Sequence, residues 1–524
     1  MIGRLRFLGR ALFGAGGLFG VMGLQDKNKP TSKPGETRDK STAEPYLTPM
    51  DLRMPVDLVL HPRWIIPMDQ GKGGAAKRRP QAVKTLHQGA AAGEATEGSA
   101  VVSFQEPHYL EGHSIAILEG KIVGILPREA AAATWSPLEE RALPESVLIP
   151  GLINAHTHSS MSLFRSWVDG IGVSEWLQEY IWPAESRFVT PGFVEFGSRL
   201  AIVEMLASGV TTFNDMYFFP EVTARVCQAM GIRAVIGLPV LEFPTNYAGS
   251  AQEYLRKGVA TLEGFPRHPL VTFAWAPHAP YTVSDDTWRK VQQLAEYYDT
   301  KIHTHVHESA LNVADSLGSR GVRPLERLRC LGLLSERLIA VHMTQVEPTD
   351  IALLLENRVN LVHCPESNLK LASGLCPAGT LLRAGVPVAL GTDGAASNDD
   401  LDMLGELRTA SLVDHYLSGQ SSPSLSRYAL LEMATIGGAR VLGIDHLVGS
   451  LQPGKDADMV AIRINAHPVF DPLTTLTNSS VNSVTDVWVA GRHLVTQGRV
   501  IGVDYADLYA QADQWGSTLE SSRH

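Results

Sequence analysis

The sequence contains little cysteine and little charge. Four of its 524 residues are cysteines, and they are widely spaced, with no Cys-x-x-Cys pair among them (Cys227, Cys330, Cys364 and Cys376). This usage excludes a disulfide scaffold and favours a reducing compartment, so we predict a cytoplasmic location. Charged residues make up 19% of the chain and hydrophobic residues 44%, which is typical of a globular protein with a large core.

Positive charge and long apolar runs are scarce as well. The formal net charge of −10 argues against nucleic acid as a partner. The apolar stretch 11–24 follows Arg4, Arg6 and Arg10 but is shorter than the roughly 20 residues that span a bilayer, so we expect no stable membrane insertion. Residues 1–45 are predicted to be a disordered extension, a targeting-like segment or the product of a start codon placed too far upstream.

Two strand-rich ends flank the chain. Residues 56–66 and 114–126 are strand-like, with a hairpin turn signal at Glu119-Gly120, and 484–499 again predicts strands around a turn. A tract rich in Gly, Ala, Lys and Gln at about 70–100 predicts a flexible surface insertion. We therefore predict a small β-sandwich domain assembled from both termini. Its two parts are residues 46–148 and 446–503, followed by a C-terminal helix or tail at 504–524.

The middle of the chain, residues 149–445, alternates strand and helix patterns. Helical periodicity is clear in Val194–Ala207 and Thr287–Tyr298. Eight strand candidates end near His156, Asn214, Pro239, His278, His305, His342, His363 and Asp393. Eight alternating strand and helix units predict an α/β fold, a (β/α)8 TIM-type barrel, in which the chemistry lies at the carboxyl ends of the strands.

Histidines mark several of these strand ends. His156 and His158 are one residue apart, so both side chains point to the same side of a strand and can bind one metal ion. Such a pair is weak evidence alone, but it gains weight from the later strands that end in His305 and Asp393. Three imidazoles and one carboxylate around an open position are typical of a catalytic metal site. His303, His305 and His307 alternate in the same way, so spacing alone does not choose the ligand among them.

Four motifs connect the chain to a known family. They are Pro150-Gly-Leu-Ile-Asn-Ala-His-Thr-His158, Trp176-Leu-x-x-x-Ile-Trp-Pro-x-Glu185, His305-x-x-Glu308 and Gly391-Thr-Asp393-Gly. With these motifs the chain resembles the amidohydrolase superfamily, in the branch of s-triazine hydrolases and purine-type deaminases. Within that branch it is most similar to the group of 5′-methylthioadenosine/S-adenosylhomocysteine deaminases. The resemblance covers about residues 46–500, apart from the insertion.

The resemblance implies a single metal ion per subunit. Its ligands would be His156, His158, His305 and Asp393. Zinc is the expected metal, with Fe²⁺ or Mn²⁺ as alternatives. The strand that ends at His278 offers no lysine that could be carboxylated to bridge two metals, so we expect a mononuclear site.

The resemblance also implies a reaction, the hydrolytic deamination of adenosine-type nucleosides, with ammonia and the inosine analogue as products. The expected catalytic residues are Glu308, His342 and Asp393. Glu308 would pass a proton to the purine ring, Asp393 would take the proton of the attacking water, and His342 would orient that water. Glu185 and His278 would bind the substrate together with Glu308 and Asp393, and Glu185 suits the paired ribose hydroxyls.

Alternatives stay open at this point. Some members of the group supply arginines after the third strand, whereas here Leu241 and Phe243 suggest an apolar pocket. This departure favours methylthioadenosine over S-adenosylhomocysteine. Another substrate, a guanine-like, pterin or s-triazine heterocycle, is the main alternative, and a non-catalytic scaffold is a remote one. Relatives with this architecture form assemblies, so a homo-oligomer is expected.

Overall fold

The computed structural model describes residues 53–69, 109–419, 425–465 and 467–521. The predictions for residues 1–45 and for the insertion at 70–100 lie outside these ranges. In the described part of the chain, no helix has both the length and the apolar character needed to cross a membrane.

Eight parallel strands form the central sheet, and each pairs with its neighbours in chain order. They are Leu152–Thr157, Val210–Met216, Arg233–Val240, Val271–Pro277, Ile302–Val306, Leu338–His342, Asn360–His363 and Val388–Leu390, called here the first to eighth barrel strands. Helices connect successive strands. The predicted (β/α)8 barrel is confirmed.

The helices include the two whose periodicity the sequence shows most clearly. The structure has them as Pro191–Ala207 and Asp285–Tyr298, each begun by a Thr or Ser side chain that accepts a backbone N–H three residues on. The other α-helices are Arg128–Thr134, Val173–Glu175, Trp182–Phe188, Pro220–Met230, Ala251–Gly264, Ala310–Arg320, Pro324–Cys330, Pro348–Glu356, Pro365–Lys370, Ala378–Ala384, Ala395–Asn398, Met403–Ser418, Arg427–Met433, Ile436–Leu442, Pro472–Thr477 and Tyr505–Glu520. Ser159–Phe164 and Val481–Ser483 are short 3₁₀-helices, and Trp176–Ile181 is a short π-helix.

The eighth strand meets the first strand at the seam of the barrel. The Asp393 backbone N–H donates to the His156 carbonyl at 3.0 Å. One residue earlier, the Asn154 side chain accepts from the Thr392 N–H at 3.0 Å and donates to the Thr392 hydroxyl at 2.8 Å. A Cβ at Gly391 would lie 2.7 Å from the His156 backbone nitrogen, so only glycine permits this approach. The seam therefore brings the His-x-His strand and the Asp393 strand together.

A second sheet is assembled from both ends of the described chain, as the sequence predicts. Its nine strands are Met54–Ile65, Leu110–Glu111, His113–Leu118, Lys121–Pro127, Trp135–Pro150, Met459–Arg463, Val484–Val489, Arg492–Thr496 and Arg499–Val500. The strand Trp135–Pro150 pairs with the N-terminal Met54–Ile65 on one side and the C-terminal Met459–Arg463 on the other. Since it leads into the first barrel strand after Gly151, this sheet also anchors the strand that carries His156 and His158.

Candidate metal centre and active-site cleft

Four side chains converge at the carboxyl ends of the barrel strands. His156, His158, His305 and Asp393 offer ligand atoms that all lie within 4.8 Å of one another. Asp393 Oδ1 is 3.3 Å from His156 Nε2 and 3.1 Å from His158 Nε2. The Nε2 atoms of His156 and His305 are 3.2 Å apart. Three nitrogen atoms and one oxygen atom thus surround a single point.

Each imidazole is also held from its other side. His158 Nδ1 donates to the Met216 carbonyl at 2.5 Å, and His305 Nδ1 donates to the His278 carbonyl at 2.7 Å. Since a carbonyl only accepts, both rings carry their proton on Nδ1 and present the free electron pair of Nε2 to the centre. His156 Nδ1 lies 2.8 Å from His303 Nε2, so His303 supports a ligand from behind. This arrangement fits a divalent metal.

Asp393 is oriented as firmly as the histidines. Its Oδ1 accepts the Gly394 N–H at 2.9 Å, and its Oδ2 accepts the Ser367 hydroxyl at 2.7 Å. Burial alone would raise the pKa of Asp393, but hydrogen bonds and charge from His156 and His158 hold that pKa well below 3.8. The carboxylate form needed for ligation is therefore the stable one.

Glu308 and His342 lie beside the metal ligands. Burial raises the pKa of the Glu308 carboxyl to about 7, which suits a group that takes up and releases a proton near neutrality. His342 Nδ1 donates to Asn368 Oδ1 at 2.8 Å. Its Nε2 atom has no hydrogen-bond partner among the described residues and lies 3.8 Å from Glu308 Oε1 and 4.0 Å from Asp393 Oδ2. His342 thus presents a free acceptor nitrogen between two carboxyl groups.

A cleft of about 230 Å³ leads to this centre. Glu185, on the helix Trp182–Phe188, and His278, after the fourth strand, both line it. Burial raises the pKa of the Glu185 carboxyl to about 7. The remaining walls are mainly apolar: Met161, Trp176, Leu177, Ile181, Trp182, Val189, Met216, Phe218, Pro239, Leu241, Phe243, Pro244, Ala276 and Leu371. No lysine or arginine is among the described residues that line the cleft.

The structure brings every site residue predicted from the sequence to this centre or its cleft. It also separates the three alternating histidines. His305 points to the metal centre and His303 lies behind His156, whereas His307 has a φ of +51° because the fifth strand has already ended at Val306. The His307 ring instead accepts the Leu325 N–H at 3.1 Å, and His363 is buried away from the ligand cluster. The one-face spacing predicted for His307 therefore fails where the strand stops.

Two residues of the site were not predicted from the sequence. Ser367 holds Asp393, and Tyr217 lines the cleft directly after the second barrel strand. No motif marks either residue. The rule that site residues follow strand ends could have indicated Tyr217, since it is the first residue after Met216.

Known proteins match the chain over most of its length. The model of the amidohydrolase family matches residues 147–494. A 5-methylthioadenosine/S-adenosylhomocysteine deaminase from Saccharophagus degradans is 42% identical over 414 residues, 78% of this chain and 93% of that protein. A protein of the same name from Teredinibacter turnerae is 40% identical with the same coverage. The crystal structure of an adenosine deaminase from Xanthomonas campestris with bound zinc has a TM-score of 0.81 and 40% identity, and the match covers 90% of this chain and 100% of that one.

A (β/α)8 barrel with three histidines and an aspartate at its strand ends defines a metal-dependent hydrolase. The chain belongs to the amidohydrolase family. The resemblance stated from the motifs is confirmed, and so is the prediction of a hydrolase that acts on C–N bonds, because the relatives are named deaminases. The predicted single zinc site is confirmed by the ligand cluster together with the zinc in the related structure.

Proposed function

We propose that this protein is a zinc-dependent deaminase of adenosine-type nucleosides, and that it prefers 5′-methylthioadenosine to S-adenosylhomocysteine. A zinc ion held by the four ligands would lower the pKa of its bound water to about 7. Asp393 would take the proton from the attacking water, and His342 Nε2 would accept a hydrogen bond that orients that water. Glu308, protonated near neutrality, would protonate the purine ring as water attacks C6. Asp393 would then pass the proton it took from water to the C6 amine, so that the C6–N bond breaks, ammonia leaves and the inosine analogue forms.

The composition of the cleft supports the preference for methylthioadenosine over S-adenosylhomocysteine. Its charged side chains other than histidine are three carboxyl groups, Glu185, Glu308 and Asp393. An apolar methylthio group would gain by burial against walls such as Leu241 and Phe243. The homocysteine carboxylate would lose water there without meeting a cation, which is unfavourable.

Glu185 supports a nucleoside over a free base. A carboxylate can accept hydrogen bonds from two neighbouring hydroxyl groups, and a ribose offers such a pair. A guanine-like, pterin or triazine substrate has no diol, so it would not form this pair of hydrogen bonds with the Glu185 carboxylate. The intact ligand set and Glu308 also argue against a non-catalytic scaffold.

The first experiment offers four substrates to zinc-loaded protein: methylthioadenosine, S-adenosylhomocysteine, adenosine and guanine. The purine absorbance and the release of ammonia are followed together. We expect the highest kcat/KM with methylthioadenosine. A preference for S-adenosylhomocysteine would refute the argument from the missing cation, and no turnover of any nucleoside with zinc bound would refute the proposed function.

Two further predictions concern the protein outside its site. The homo-oligomer stays a prediction, which light scattering after size-exclusion chromatography would test. The cytoplasmic location also stays a prediction, and cell fractionation with an antibody to the full chain would test it.

A further inference from the structure

The hydroxyl group of Tyr217 lies in the wall of the cleft beside the Glu185 carboxyl. The residue is only 5% exposed, and it lines the cleft directly after the second barrel strand. Its hydroxyl interacts with the Glu185 carboxyl but forms no hydrogen bond of ordinary geometry with any described residue. A buried hydroxyl with poor hydrogen-bond geometry costs free energy, so a ligand group that improves the pairing of Tyr217 and Glu185 would be favourable.

The chemistry beside Tyr217 indicates the kind of partner. The Glu185 carboxyl is its neighbour, and burial together with the charge of Glu185 raises the pKa of Tyr217 well above 10. The phenol thus remains a donor across the ordinary pH range, whereas the Glu185 carboxylate can only accept. A ligand that fits both groups must donate to one and accept from the other. An alcohol group does both.

We propose that Tyr217 is a specificity-determining residue, whose hydroxyl donates a hydrogen bond to the oxygen of a ribose hydroxyl group while that group donates to Glu185. This inference rests on the proposed function, because it assumes that a nucleoside occupies the cleft. It assigns to Tyr217 the discrimination between ribose and deoxyribose, which Glu185 alone would only partly provide.

Tyr247 offers a matched control. It is 4% exposed, and its hydroxyl also forms no hydrogen bond of ordinary geometry with any described residue, although it interacts with Thr261. It does not line the cleft, however, and its ring packs 5.2 Å from that of Phe219 and 5.7 Å from that of Tyr254, measured between centroids. The two tyrosines therefore differ in position, since only Tyr217 lies in the cleft beside Glu185.

The test compares wild type, Tyr217→Phe and Tyr247→Phe as zinc-loaded proteins. Each is assayed with 5′-methylthioadenosine and with its 2′-deoxy and 3′-deoxy analogues, and zinc content and thermal unfolding are measured in parallel. Loss of one hydrogen bond should lower kcat/KM of Tyr217→Phe for the ribonucleoside by about 10-fold, mainly through KM. One of the two deoxy analogues already lacks the hydroxyl that Tyr217 would bind. For that analogue, kcat/KM of Tyr217→Phe should equal kcat/KM of wild type. Tyr247→Phe should keep the wild-type ratios.

The other outcomes separate this inference from the proposed function. An equal loss with all three nucleosides, or no loss at all, would overturn the role of Tyr217 and leave the deaminase standing. If wild type had the same kcat/KM for the ribonucleoside and for both deoxy analogues, the roles of both Tyr217 and Glu185 would be overturned. Wild type that turns over none of the three would overturn the proposed function, and the inference with it.

Discussion

The metal centre and the walls of the cleft are built in different ways. At the centre, each ligand has a second contact that fixes it, such as the Met216 carbonyl behind His158 or the Ser367 hydroxyl behind Asp393. The walls come largely from segments between strands, and the Tyr217 hydroxyl and the Trp176 indole in them form no hydrogen bond of ordinary geometry with any described residue. The difference indicates that the strand ends hold the chemistry, which needs fixed geometry, whereas the connecting segments select the substrate.

The strongest test of the centre is Asp393→Asn. The change removes a negatively charged ligand and the group that takes the proton, so we expect turnover to fall by at least about 10⁴-fold. Zinc content, measured by elemental analysis, should fall with it. The control is Asp400→Asn, on the exposed surface seven residues further on, which should keep the turnover and the zinc content of wild type. Substantial turnover in Asp393→Asn would disprove its double role.

Glu308→Gln separates proton transfer from metal binding. The amide cannot supply the proton, so kcat should fall by about 10²–10⁴-fold while zinc stays bound, since Glu308 is not among the four ligands. Steady-state kinetics and elemental analysis of one preparation measure both quantities. The exposed Glu356→Gln is the control. Turnover at the wild-type rate would remove Glu308 from the mechanism.

Glu185→Ala tests the cleft wall. Losing the acceptor of the ribose hydroxyls should raise KM for the nucleoside by about 10–100-fold, the range for hydrogen bonds to a charged group, with a smaller effect on kcat. The control is Glu179→Ala, an exposed residue of the preceding helical turn. A large fall in kcat at unchanged KM would show that Glu185 acts in catalysis and not in substrate binding. The distinction between a catalytic centre and a substrate-binding wall would then fail.

The protonation of Glu185 should make binding of the nucleoside at the cleft wall depend on pH. Burial raises its pKa to about 7, so the accepting carboxylate dominates above that pH and the protonated acid below it. We therefore expect KM for the nucleoside to rise as the pH falls below about 7 and to level off above it. In Glu185→Gln, KM should be high and should lose this dependence. A wild-type KM that is constant from pH 6 to 8 would contradict the assignment.

The same contrast explains what the sequence could and could not reveal. Strand-end histidines and Asp393 were predictable, because alternation along a strand and the barrel rule bring distant strand ends to one place. His307 was not, because its orientation depends on the residue at which the strand stops. The strand-end rule could have placed Tyr217 in the cleft, but not the pairing of its hydroxyl, because side chains distant in sequence decide that pairing. The metal centre follows from periodicity together with the family motif that selects His305, whereas the cleft wall follows from packing.

The smallest expected effect comes from adding the missing cation. Phe243 lines the cleft, and its ring centroid is 5.3 Å from that of Trp182, on which an arginine could stack. Because a partly exposed ion pair contributes about 0.2–1 kcal/mol, Phe243→Arg should improve kcat/KM for S-adenosylhomocysteine relative to methylthioadenosine by up to about 5-fold. The surface variant Phe470→Arg, at a residue 89% exposed, should leave the ratio unchanged. If Phe243→Arg weakened both substrates equally, this wall would contact the purine or ribose and not the 5′ substituent, and the apolar-pocket argument would fail.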